Sequence, residues 1–182
     1  MEQVRTSETP VESVRNAIDL FLFSCHFHVS VNAGLVTPES FIFPFEIRTE
    51  VATHTINKKS YMPVQLRAYA NNLLLAAESV LAIVVDDALL TFGPRNPDDT
   101  SDLGSARNIS YMIRCAFAHN AFKPRWQCSP KYQRRYAIRA ANVQFDGKMC
   151  NGKGLKPEDY GGLEGHMRLL DFCLQALKDL KS

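Results

Sequence analysis

Apolar positions along the chain recur in blocks with a helical period. Val14, Ile18, Phe21, Leu22 and Cys25 follow one another at steps that keep one helical face apolar. Thr9 ahead of them can cap, Pro10 suits the first helical position, and Glu12 stands three after the cap. The pattern predicts a first helix opening at Thr9 and closing before Gly34 and Pro38. A second, long helix is predicted from the stripe Leu66, Tyr69, Leu73, Ala76, Val80 and Ile83, with an apolar surface that widens toward Val85. Gly93, Pro94 and Pro97 break it. A third is predicted from about Gly104 to Asn120, with Ile109, Met112, Ile113, Ala116 and Phe117 inward, and Pro124 bars a long extension. A last helix starts near Tyr160–Gly161 and uses Leu163, Met167, Leu170, Leu174 and Leu177.

Two segments break the helical period. Residues 38–60 read as an irregular excursion with short extended pieces. Residues 125–150 read as a small β insertion, "RWQC" and "RRYAIRAANVQF" forming strands. Asp146–Gly147 reads there as a hairpin turn and Asn151–Gly152 as a second turn. The expected fold is therefore mainly α, an up-and-down helical bundle in one domain spanning 1–182, with a β insertion before the last helix.

Composition narrows the setting. At 182 residues, 46% hydrophobic and 22% charged, the chain has the balance of a globular protein with ample core material. The polar N-terminal stretch is expected to carry no leader, and the longest apolar run is too short to span a bilayer, so a soluble, cytoplasmic protein is expected. Cys25, Cys115, Cys128, Cys150 and Cys173 are odd in number, spread out and lack a CxxC pair, which favours buried free thiols over a disulfide framework or a zinc site. No cofactor or metal is called for.

Net charge is only +2, but it is unevenly placed. From Leu103 to Phe145 there is no acid, and that window holds eight basic residues: Arg107, Arg114, Lys123, Arg125, Lys131, Arg134, Arg135 and Arg139. The rest carries 13 basic and 19 acidic residues, a balance of −6. Phe117, Phe122, Trp126, Tyr132 and Tyr136 are interleaved among these cations. Cations can hold a polyanion and aromatic faces can stack on unpaired bases, so Lys123, Arg125, Trp126, Lys131, Arg134, Arg135 and Arg139 are candidate RNA contacts. A solvated basic strand pair with a half-buried aromatic face fits the same pattern.

The segment "YMIRCAFAHNAFKPRW" places Arg114 and His119 five residues apart at the end of the third helix. "R-C-A-F-A-H" over Arg114 to His119 matches the R-x4-6-H pattern of HEPN domains, and "IRCAFAHN" on a late helix of a small bundle resembles the motif helix of that superfamily. The resemblance implies a metal-independent endoribonuclease of toxin or defence type, or a relative that serves as a binding module. It implies His119 as the acid–base group and Arg114 as the group holding phosphate charge, at the seam of a homodimer. It also implies a nucleotidyltransferase-like antitoxin as a possible partner. Active members commonly carry Asn, Asp or His directly after the arginine, where this chain has Cys115. Asn120 is a candidate polar support, and Glu78 on the second helix a candidate acidic partner for the arginine.

The chemistry is consistent on its own terms. When a ribose 2′-hydroxyl attacks the adjacent phosphate, a base must take its proton and an acid must protonate the leaving 5′-oxygen. Histidine can do either near neutral pH, and arginine offers a fork of donors to phosphate. One chain supplies one such histidine, and a two-fold dimer would bring two copies into one cleft. The same two residues at a helix C-terminus are also favoured by the helix dipole alone, which leaves open a non-catalytic interaction module or a structural helical protein.

Other motifs carry less. Cys25, His26 and His28 in "CHFH" cannot all face one metal on a helix. His166 reads as a solvated edge residue. Gly152-Lys153-Gly154 lacks the spacing of a phosphate loop.

Overall fold

A computed structural model describes residues 8–49 and 51–180, so the polar residues 1–7 lie outside it. The described chain is mainly helical. Its α-helices are α1 (Pro10–Asn32), α2 (Pro63–Leu89), α3 (Asp102–Ala118), the single turn α4 (Gly147–Cys150) and α5 (Gly162–Asp179). Strands β1 (Phe45–Arg48) and β2 (Thr53–Ile56) pair antiparallel, as do β3 (Arg135–Ile138) and β4 (Val143–Asp146). No helix among the described residues is long and apolar enough to cross a membrane.

The helix starts follow from their caps. Thr9 accepts from the Glu12 amide at 3.3 Å, and Glu12 reaches back to the Thr9 amide at 2.8 Å. Ser101 caps α3 by accepting from the Gly104 amide at 3.0 Å. These bonds satisfy donors that a helix start leaves orphaned.

The chain forms two compact units, Met1–Ile18 with Glu78–Ser182, and Asp19–Ala77. In the second, Val31, Leu66 and Ala70 make a small core against Phe27, Val36, Phe41 and Tyr61. The β1–β2 hairpin lies here, within the segment read as an excursion. Its register sets Phe45 opposite Ile56 and Ile47 opposite His54.

The first unit carries the larger core. Ile109, Met112, Ile113, Ala116 and Phe117 of α3 are buried, as their spacing predicts. α3 packs on β3 and on α5, from which Leu169, Leu170, Cys173 and Leu177 are buried. Tyr136, Ile138, Val143 and Phe145 alternate inward from the hairpin. Trp126, wholly buried, packs on Phe145 at 4.6 Å between ring centroids and edge-on to Tyr160 at 6.0 Å.

Several details differ from the sequence reading. α2 buries Leu66, Ala70, Ala77, Leu81, Val85 and Ala88, whereas Tyr69, Leu73, Val80 and Ile83 are exposed. The helix carries apolar residues on most of its circumference, so spacing alone leaves several candidate faces. Asp146–Gly147 is not the hairpin turn. Asp146 caps α4 by accepting from the Lys148 and Met149 amides, each at 3.0 Å. The chain reverses instead through Arg139–Asn142, where Asn142 takes φ +49°. The Asn151–Gly152 turn is present, with Gly152 at φ +78°. Leu163 is exposed and His166 is buried, the reverse of their expected placement, because α5 turns the His166 side toward Tyr160.

Gly165 marks where α5 meets the preceding turn. A Cβ built there would stand 2.4 Å from the Tyr160 carbonyl oxygen, a backbone atom with little room to yield. Gly165→Ala should therefore lower the melting temperature, because overpacking of about 1–3 kcal/mol outweighs the helix gain of about 0.5–1 kcal/mol. An unchanged or raised melting temperature in a thermal scan would show that the turn gives way freely.

Candidate nucleic-acid interface

The site begins with a buried charge. Asp86 on α2 is fully buried, and both its oxygens accept from arginines. Arg95, from the loop after α2, donates to Oδ1, and Arg114 on α3 donates from Nη1 to Oδ2 at 2.8 Å. Arg114 Nη1 also reaches exposed Asp87 at 3.2 Å. Arg95 lies over the Tyr111 ring, 4.1 Å from its centroid. The Asp86 carboxylate raises the Arg114 pKa above its ordinary value. Arg107 is pulled the other way, first by burial and then by its neighbour Arg95, and donates to the Gly93 carbonyl.

Arg114 thus takes its acids from Asp86 and Asp87. Glu78, two turns back, is buried elsewhere and meets the Tyr160 hydroxyl at 3.5 Å. The Arg114 side chain remains 39% exposed. Its Nε and Nη2 make no hydrogen bond to protein among the described residues.

His119 is the C-cap of α3, with φ −93° and ψ −32°, and is exposed. Its side chain makes no hydrogen bond or ion pair among the described residues. Five residues of helix put it about 7.5 Å farther along the axis than Arg114 and about 140° around it. Asn120 turns the chain: its Oδ1 accepts from the amides of Phe122 at 2.9 Å and Lys123 at 3.1 Å. Cys115 is half-buried, and its thiol beside Tyr111 helps push that phenol up to about 12.

The basic window sorts into two groups. Arg134 pairs with Asp98 at 2.5 Å and Arg135 with Asp146 at 3.0 Å, so each is partly neutralised by an acid from outside the window. Lys123, Arg125, Lys131 and Arg139 are exposed and form no ion pair among the described residues. The aromatic half of the expectation changes more. Trp126 cannot stack on a base, because it is buried and its indole donates to Asp159 at 2.6 Å. Phe117, Tyr132 and Tyr136 are buried as well, leaving Phe122, 53% exposed. No group of three or more His, Cys, Asp or Glu among the described residues is placed to hold a metal.

Asp86 and Asp87 should differ sharply on substitution. Asp86→Asn leaves Arg95 and Arg114 without their buried counter-charge and should cost about 3 kcal/mol or more in urea unfolding. Asp87→Asn breaks an exposed pair and should cost under about 1 kcal/mol. Equal losses would mean that Asp86 does not hold the two arginines.

Glu78 and His166 should oppose each other in the pH dependence of stability. Burial raises Glu78 from 4.5 to about 7, the Tyr160 hydroxyl pulling weakly the other way. Its contribution is complete below 4.5 and lost as pH rises through 7, about 3 kcal/mol in all. Burial lowers His166 from 6.5 to about 4. Its contribution is complete above 6.5 and lost as pH falls toward 4. Glu78→Gln should therefore remove the decline between pH 4.5 and 7 and expose the acid-side decline of His166. A variant whose urea midpoint still falls between pH 4.5 and 7 would locate the titrating group elsewhere.

Compared with family models, curated proteins and solved structures, the chain gives no match.

Proposed function

We propose that the C-terminal end of α3 is the phosphate-handling site of a HEPN-like RNA-binding protein, a metal-independent endoribonuclease of toxin or defence type. The observation that carries this reading is the state of Arg114. One nitrogen is fixed by two carboxylates while the outward donors remain available, so the guanidinium is already oriented and loses little freedom on taking a phosphate. His119 stands exposed at the end of the same helix, able to exchange protons with a bound strand.

The step balances without a further reactant. A histidine takes the 2′-hydroxyl proton as that oxygen bonds to phosphorus. The bond from phosphorus to the 5′-oxygen breaks, and a second acid protonates the leaving oxygen, giving 2′,3′-cyclic phosphate and 5′-hydroxyl ends. A homodimer would supply the second group as His119 of the other protomer. Val80, Ile83 and Leu90 support that arrangement. They are exposed apolar residues that fall, with Asp87, at steps of three, four and three, so an apolar stripe runs beside the carboxylate that holds Arg114.

A second reading is favoured by Asp86. A buried carboxylate needs its arginines whether or not RNA binds, so Arg114 can be a structural staple in a non-catalytic interaction module, with a nucleotidyltransferase-like antitoxin as one partner class. RNA cleavage in EDTA separates the two. The first reading expects cyclic-phosphate ends from the wild type and a loss of about 10²–10⁴-fold in His119→Ala. Absence of cleavage, or cleavage indifferent to that substitution, assigns the pair to the second.

A further inference from the structure

The chain after α3 builds a surface that the linear sequence hides. The Asn120 turn folds the backbone against the helix end, and the Arg125 amide donates to the Ala116 carbonyl in the last turn of α3 at 3.1 Å. Residues 124–126 then pair with 152–155. The Trp126 amide donates to the Lys153 carbonyl and the Gly152 amide to the Trp126 carbonyl, each at 2.9 Å, and the Leu155 amide to the Pro124 carbonyl at 3.0 Å. Arg125 stands opposite Gly154, and its Nη2 donates to the Gly152 carbonyl at 3.2 Å. A Cβ at Gly154 would meet nothing within 4 Å, so the space beside the Arg125 backbone is open. Buried Trp126 anchors the ledge from beneath.

The turn carries Lys123 and Arg125, and the segment paired with it carries Lys153, all exposed and outside any ion pair among the described residues. Phe122, next to Lys123, offers an exposed ring in the same turn. Asp159 accepts at Oδ2 from the Trp126 indole at 2.6 Å and the Lys156 amide at 3.1 Å and forms no ion pair with these cations among the described residues. Exposed cations on a paired segment that also carries an exposed aromatic ring have the chemistry of a single-strand contact, phosphates on the cations and one base on the ring. A duplex, with its base faces covered, can use only the cations.

We infer that the ledge formed by Phe122, Lys123, Arg125 and Lys153 binds single-stranded nucleic acid, with Phe122 stacking on an unpaired base. The inference rests on the RNA reading above for its biological substrate, while the binding itself needs no cleavage.

The test is fluorescence anisotropy of the full chain with a labelled oligodeoxythymidine of about 12 nucleotides, which has no 2′-hydroxyl and cannot be cleaved by the route above. The single strand should bind more tightly than a duplex of equal length. Phe122→Ala should weaken single-strand binding about 5- to 100-fold and leave duplex binding unchanged, with the circular dichroism spectrum unaltered. Lys153→Gln should make the plot of log affinity against log salt shallower by about 0.7. Equal affinity of Phe122→Ala and wild type, a preference for duplex, or no binding to either probe would overturn the ledge. The EDTA cleavage assay reports on Arg114 and His119 whichever way the binding falls.

Discussion

A carboxylate removed from water must be held by something that replaces water, and much of the first unit is arranged around that requirement at Asp86. Arg114 ties it to α3, and Arg95 ties it to the loop between α2 and α3. The same loop is then held along its length. Arg107 donates to the Gly93 carbonyl, Asn108 to the Asn96 carbonyl at 3.0 Å, and the Tyr136 hydroxyl to the Pro97 carbonyl at 3.2 Å. A segment whose prolines and glycine mark it only as a helix breaker is thereby the junction of α2, α3 and the β3–β4 hairpin. Its backbone carbonyls serve as acceptors for side chains that would otherwise be buried without partners.

Local signals were legible in the sequence, and the meeting of distant elements was not. The Thr9–Glu12 box and the inward face of α3 depend on residues a few positions apart, and spacing is enough to find them. On α2 spacing fails, because a helix apolar nearly all round offers several equivalent stripes. The partner of Arg114 illustrates the same limit. Glu78, Asp86 and Asp87 all lie on α2, and only the way α2 and α3 meet decides which acid arrives beside the arginine. His166 was missed because a lone histidine among glycine and glutamate reads as surface until Tyr160 is seen packed against it.

Charge along the chain and charge on the surface also diverge. The window from Leu103 to Phe145 has no acid of its own, yet Asp86, Asp87, Asp98 and Asp146 fold onto Arg114, Arg134 and Arg135. What remains positive is a smaller set, and one of its members, Lys153, comes from outside the window altogether. The Gly152-Lys153-Gly154 sequence is no phosphate loop, but its glycines turn the chain and leave space open beside Arg125.

This redistribution separates two tasks that the sequence had merged. Around Asp86 the charges of Arg95 and Arg114 are balanced by Asp86 and Asp87, so that region carries little net field to draw in a polyanion. The uncompensated cations lie past the end of α3. On the proposed reading, a strand approaching the protein is attracted there first, where salt-sensitive contacts dominate. Arg114 can contribute only at short range, through directed hydrogen bonds from a guanidinium already held in place. An arginine neutralised this way is a poor attractor but a well-oriented donor, and orientation is what stabilising charge on a reacting phosphate requires.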